Sequence, residues 1–153
     1  MKTFQLEGTP RTEIGKKAAK AIRKEEMIPA VLYGGESTIH FNVTKDAVRK
    51  LIYTPEIFIV DLTIGDKKTK AIIKDLQFHP VTDAVLHIDF LEVFDNKPIV
   101  MEVPVVLEGF AEGVKAGGKL SLEMRKLKVK AVYSVIPEKL TINIDKLGLG
   151  KTM

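Results

Sequence analysis

Four polar side chains stand at alternate positions on two neighbouring stretches of the chain, Gln77 and His79 on the first, His87 and Asp89 on the second. Apolar residues fill the positions between them: Leu76 and Phe78, then Leu86, Ile88 and Phe90. On paired strands, period-two alternation gathers the apolar set on a core face and turns the polar set outward together. With an even register around a turn at Pro80 to Asp83, Gln77 and His79 lie opposite or diagonal to His87 and Asp89. Three chemistries are open to such a group. It is a solvated outer face, or a metal site of His79, His87 and Asp89, or a platform that hydrogen-bonds nucleic acid with the ring and hydroxyl of Tyr33 beside it. Flat strand neighbours rarely give the tetrahedral convergence that zinc requires, which weighs against the metal.

A second group is purely electrostatic. Residues 11–24 hold six cations (Arg11, Lys16, Lys17, Lys20, Arg23, Lys24) against the single Glu13, whereas residues 1–94 as a whole carry fourteen positive and thirteen negative groups. The positive charge of that half is therefore concentrated. The stretch Glu13–Glu26 is free of proline and rich in Ala and Lys, so helix is expected. At about 100° per residue, Ile14, Ala18, Ala21 and Ile22 share one arc, and Lys16, Lys17, Lys20, Arg23 and Lys24 fill an arc of about 120° roughly opposite. Solvated helix faces usually mix signs; this one is expected to be wholly cationic. In residues 95–153, ten positive and seven negative groups are spread along alternating strands, the look of an ordinary solvated sheet.

Several activities are excluded. The chain has no cysteine, which removes disulfides, thiolate metal sites and thiol nucleophiles. Gly113-Val114-Lys115-Ala116-Gly117-Gly118-Lys119-Leu120 is a near miss to a phosphate-binding loop, but Leu120 replaces the hydroxyl residue that holds magnesium and no helix pattern follows. Ser37, Ser121 and Ser134 sit in no nucleophile motif. No enzyme, no cofactor and no small-molecule substrate is expected. The apolar runs are far shorter than the roughly 20 residues that cross a bilayer, and the start lacks an apolar signal core, so a cytoplasmic protein without membrane contact is expected.

The elements that position these groups follow from periodicity and turn residues. Pro29 is expected to close the helix, and Ala30–Tyr33 before Gly34-Gly35 reads as a buried strand. Ile39, Phe41 and Val43 alternate with His40 and Asn42; Thr44 starts a short helix to about Tyr53 with Asp46 in its first turn. Phe58–Ile64, residues 69–79 and residues 84–94 read as three longer strands. An α+β fold is expected: an N-terminal domain over residues 1–94 that is a small, mostly antiparallel sheet or barrel with two helices, then an all-β domain over residues 95–153 after the polar link Asp95-Asn96-Lys97-Pro98. The turn-like end, Gly148 to Met153, ordinarily leads into another element, so this second domain is expected to be cut short.

The residues also carry a family resemblance. Arg11 with Gly15-Lys16, the stretch Ile28 to Gly35, Gln77-Phe78-His79-Pro80 and His87-Ile88-Asp89-Phe90 resemble the bacterial large-subunit ribosomal proteins of the general stress protein Ctc family, which bind 5S ribosomal RNA. Val103-Pro104-Val105, Gly109, Gly113-Val114 and Gly117-Gly118 resemble that family's second domain. The resemblance implies a β-barrel that binds 5S rRNA, membership of the large ribosomal subunit, and RNA-facing positions at Arg11, Lys16, Lys20, Arg23, Tyr33, Gln77, His87 and Asp89. Lys17 and His79 join them from the charge and strand patterns. Lys20, Ala21 and Phe78 stand where members often carry arginine. Two rivals remain: a module docking an acidic protein through the basic helix, and a metal-dependent hydrolase on His79, His87 and Asp89.

Overall fold

Six segments between Lys2 and Glu92 form strands with alternating apolar residues, and in the computed structural model of the chain, which describes residues 2–153, these segments close on themselves. The strands are β1 (Lys2–Pro10), β2 (Met27–Tyr33), β3 (Ile39–Thr44), β4 (Phe58–Ile64), β5 (Lys67–Phe78) and β6 (Val85–Glu92), joined as a barrel in the order β1-β3-β2-β6-β5-β4. The β1–β4 and β2–β6 seams are parallel and the others antiparallel. A closed barrel has no free edge, and one face of every strand must fill its interior. Leu6, Ile28, Ala30, Leu32, Phe41, Val43, Val60, Leu62, Ile88 and Phe90 do so. Phe41 and Phe90 pack ring to ring, with centroids 5.7 Å apart.

Two helices complete this part, α1 (Lys16–Lys24) and α2 (Lys45–Ile52). Thr44 holds the position before α2 in extended backbone without a side-chain cap bond, and Val48 and Leu51 of α2 plug into the barrel core. Pro29 does not close α1. The helix ends at Lys24, Glu26 turns the chain at φ 59°, and Pro29 lies inside β2 opposite Asn42. The strand β1, absent from the sequence reading, seals the barrel against β4.

Beyond the link, β7 (Ile99–Glu108), β8 (Lys126–Ala131) and β9 (Leu140–Asn143) form a sheet in the order β8-β7-β9, with one helical turn, α3 (Glu112–Lys115), in the glycine-rich loop. This sheet rests on the barrel. Ile72 and Val93 from the barrel side form one buried cluster with Ile99, Met101, Val103 and Ile136. The Tyr133 hydroxyl donates to Asp95 in the link, and Lys70 of β5 sits 5.6 Å from the Tyr133 ring.

Two polar details set the tightness of the fold. Glu92 is buried at the end of β6; its Oε1 accepts from the Thr69 hydroxyl at 2.5 Å and lies 3.6 Å from Lys67 Nζ. A Cβ on Gly35 would stand 1.8 Å from Glu92 Oε2, so a larger residue there must push the Glu92 carboxylate aside. In the C-terminal loop, the Asp145 carboxylate accepts from the Phe110 N–H at 2.8 Å and from Asn143 Nδ2 at 3.0 Å, while the Asp145 carbonyl accepts from the Glu112 N–H. The Phe110 bond first, then Asn143, holds this carboxyl below its ordinary pKa.

Phe90→Ala should cost about 3–5 kcal/mol by emptying the centre of the barrel. Gly35→Ala should cost about 1–3 kcal/mol by overpacking. Urea unfolding followed by circular dichroism checks both. Because the folded-state pKa of Asp145 is depressed, its contribution is complete above the ordinary carboxylate value and is lost as pH falls through the lowered one. The Phe110 amide resonance should therefore shift in strong acid with a midpoint below an ordinary aspartate, and Asp145→Asn should abolish that step.

Candidate nucleic-acid interface

The hairpin of β5 and β6 places Gln77 directly across from His87, and Asp75 directly across from Asp89. Leu76 opposes Ile88 on the inner face. Directly opposed residues share a face, so Asp75, Gln77, His87 and Asp89 form one outward polar quartet. His87 Nδ1 lies 2.7 Å from Asp89 Oδ1 but off the N–H axis, so the contact is electrostatic and not an aligned hydrogen bond. Farther along the same two strands the outward pair is Ile72 and Leu91, which the C-terminal sheet covers. One end of the hairpin's outer face is thus packing and the other is free.

His79 is not a member of the quartet. Register shifts between Gln77 and Phe78, where β5 ends, and the alternation stops there. His79 Nδ1 accepts from the N–H groups of Val81 and Thr82, both at 3.2 Å, and its own N–H donates to the Ala84 carbonyl. It builds the turn. The same break leaves Phe78 44% exposed instead of in the core. Among the described residues no three His, Asp or Glu side chains converge as a metal site.

Helix α1 packs across β2, but rolled from the sequence expectation. Its half-buried residues are Ala18, Ala19, Ile22 and Arg23, whereas Ile14 is 61% exposed and Ala21 faces solvent. On a helical wheel this centres the packed arc about 80° from the predicted one. The cause is Arg23, which leaves the cationic face: its Nε and Nη2 both donate to the Leu86 carbonyl of β6, at 3.0 and 2.8 Å. This guanidinium bolts α1 to the strand carrying His87 and Asp89. Lys16, Lys17, Lys20 and Lys24 remain exposed, within an arc of about 100°.

Arg11 approaches from the loop before α1, where its N–H donates to the His40 carbonyl. Its Nε and Nη1 are buried without a hydrogen-bond partner, as are His40 Nδ1 and Asn42 Oδ1 on β3. Burial first, then the neighbouring charge of Arg23, lowers the Arg11 pKa. Two guanidiniums are thus held together with no carboxylate paired to either among the described residues. Tyr33 borders the quartet: burial first, then the charges of Asp89 and Asp75, raises its hydroxyl pKa. The pairings His40 to Val31 and Val31 to Asp89 carry one outward row across β3, β2, β6 and β5 to Asp75. Sequence reasoning missed His40, Asn42 and Asp75, although the alternation over residues 39–43 marked the first two as outward.

Lysines, paired guanidiniums and outward hydrogen-bonding groups on one face suit a polyanion that also offers donors and acceptors. Residues 6–90 match the Ribosomal L25p family, and residues 98–153 match the C-terminal domain of ribosomal protein TL5. The chain belongs to the Ribosomal L25p family. It is 71% identical over 155 residues to the large ribosomal subunit protein bL25 of Porphyromonas gingivalis, a match that spans 100% of this chain and 81% of the relative. The bL25 proteins of Parabacteroides distasonis and Bacteroides fragilis are 69% and 58% identical over 158 residues, again across 100% of this chain and 81% of each relative. A member of this family is a ribosomal protein and not an enzyme, so the hydrolase reading falls.

Arg23→Ala should release α1 while leaving the barrel folded, since a hydrogen bond from a charged donor is worth about 1.5–3 kcal/mol. Faster amide exchange confined to residues 16–24, with the β2 and β6 amides unchanged, is the expected result.

Proposed function

We propose that the chain binds 5S ribosomal RNA through α1, its leading Arg11 and the outward face of the β5–β6 hairpin. The coarser role, a structural component of the large ribosomal subunit in the bacterial cytoplasm, is that of its family. The observation that carries the finer reading is the half-buried Arg11, two of whose nitrogens are buried without a hydrogen-bond partner and which forms no ion pair among the described residues. Uncompensated charge is costly when partly desolvated. A phosphate meeting the accessible part of the Arg11 side chain would offset that charge.

Two kinds of contact divide the work. Lys16, Lys17, Lys20 and Arg11 meet phosphates and fix position. Tyr33, Gln77, His87 and Asp89 read 2′-hydroxyls and base edges, which a wide RNA minor groove or an internal loop exposes. Arg23 orients α1 by its bond to β6, and His79 shapes the turn, so both act through neighbours. All these residues precede the link, and we assign residues 1–94 as the RNA-binding domain and 95–153 as a second one.

A salt titration separates the two kinds. Lys16→Ala or Lys20→Ala should weaken binding to 5S rRNA and to an unrelated RNA duplex alike, and flatten the salt dependence by up to about one unit per lost contact. Gln77→Ala or His87→Ala should weaken 5S binding by roughly 1–3 kcal/mol, on the scale of direct base readout, with the duplex affinity and the slope unchanged. Wild-type behaviour of both hairpin variants on both RNAs would show the quartet to be merely solvated.

A further inference from the structure

We propose that β8 carries a second RNA-binding surface, a row of three lysines that grips the phosphate backbone of a ribosomal RNA segment other than the one held by α1 and the hairpin. The proposal rests on the RNA-binding reading above and extends it to the C-terminal sheet. Lys126, Lys128 and Lys130 are all exposed, and they alternate with the half-buried Leu127, Val129 and Ala131. The three ammonium groups therefore leave one face of one strand, with alternate residues about 6.6–6.8 Å apart. That spacing is close to the step between successive phosphates of an RNA strand.

The charge balance around the row is one-sided. Residues 119–130 hold Lys119, Arg125, Lys126, Lys128 and Lys130 against the single Glu123. Across the ladder on β7, Lys126 faces Pro104, Lys128 faces Glu102 and Lys130 faces Val100. One carboxylate opposes three cations, and among the described residues none of the three lysines forms an ion pair. Read as a total, the C-terminal charge looked diffuse; folding gathers it onto one edge.

Edge strands often carry lysine to deter pairing with other chains, and that would account for a cation anywhere along β8. It does not account for Lys74. This residue belongs to β5, an inner strand of the barrel, yet it lines the same cleft of about 490 Å³ as Lys126 and Lys128. The carboxylates of that cleft are Glu56, already bonded to Lys2 at 2.5 Å, Asp75 and Glu102. Lys74 from the barrel and Lys126 and Lys128 from the sheet thus share one cleft with Asp75 and Glu102. The shared cluster of Ile72, Val93, Ile99, Met101 and Val103 holds the two parts together, so the cleft is preformed.

The test compares two probes: isolated 5S rRNA, and large ribosomal subunits stripped of this protein. The variant K126Q/K128Q/K130Q of the whole chain keeps part of each aliphatic stem and should unfold at the wild-type temperature. It should bind isolated 5S rRNA as wild type does. On stripped subunits it should bind at least about ten-fold more weakly at 0.15 M salt, with a salt dependence flatter by roughly two to three units, as expected for three lost phosphate contacts. Lys→Arg at the same three positions keeps the charge and should restore both quantities. Hydroxyl-radical probing of the bound subunits should show a stretch of riboses protected by wild type and exposed with the Gln variant. Wild-type affinity and slope on stripped subunits would overturn the proposal. Lost affinity with every ribose still protected would also overturn it, in favour of an acidic protein partner. A parallel K16Q/K20Q variant should fail on both probes; if it fails on neither, the α1 reading is at fault and the β8 result still stands or falls by its own ribose protection.

Discussion

Arg23 to the Leu86 carbonyl is the bond on which the proposed surface depends. Without it, α1 would be a short amphipathic helix lying on β2 through two alanines and an isoleucine, too little apolar area to fix its roll. The fork of two N–H groups on one carbonyl sets that roll and ties the helix to the strand that carries His87 and Asp89. Cations and directed hydrogen-bonding groups then belong to one rigid face. The cost is that Arg23 no longer contributes a free charge. It still acts electrostatically, since, after burial, its charge is the second cause that lowers the Arg11 pKa.

The barrel makes this placement necessary. With its interior filled by side chains such as Phe41 and Phe90, nothing functional fits inside, and every strand offers only its outer positions. Those positions are not equivalent. Ile72 and Leu91 are covered by the C-terminal sheet, whereas Asp75, Gln77, His87 and Asp89 at the other end of the same hairpin are left open. One hairpin therefore serves as a packing surface and a recognition surface, divided along its length.

Much of this was legible in residue order. Alternation turned Gln77, His87 and Asp89 to one outward face, located most of the barrel strands and the link, and marked the lysine arc of α1. It failed where the answer depended on a register shift or on a distant partner. A one-residue slip reverses which side a residue faces, and the slip after Gln77 expelled Phe78 from the core and gave His79 to the turn. Local pattern carries no information about a carbonyl 63 residues away, so Arg23 read as one more cation of the helix face. Pro29 read as a helix stop because proline is judged by what it breaks; in β2 it simply occupies a position opposite Asn42. The β8 lysines were visible but not interpretable, since only the β7 ladder shows that one carboxylate, Glu102, stands across from three cations.

The acid pair at the centre of the quartet bears on how such a surface would discriminate. Asp75 and Asp89 face each other across the hairpin, an arrangement that like charges disfavour, and they raise the Tyr33 pKa from its other side. Carboxylates repel phosphate, so this spot cannot add to general affinity for a polyanion. It accepts hydrogen bonds only, and the RNA groups able to donate them are 2′-hydroxyls and base amino or imino groups. Cations at the periphery therefore attract any backbone, while the acidic centre tolerates only an RNA whose shape turns sugar or base edges, and not phosphates, towards it. On the proposed reading, selectivity comes as much from what Asp75 and Asp89 refuse as from what Gln77 and His87 bond.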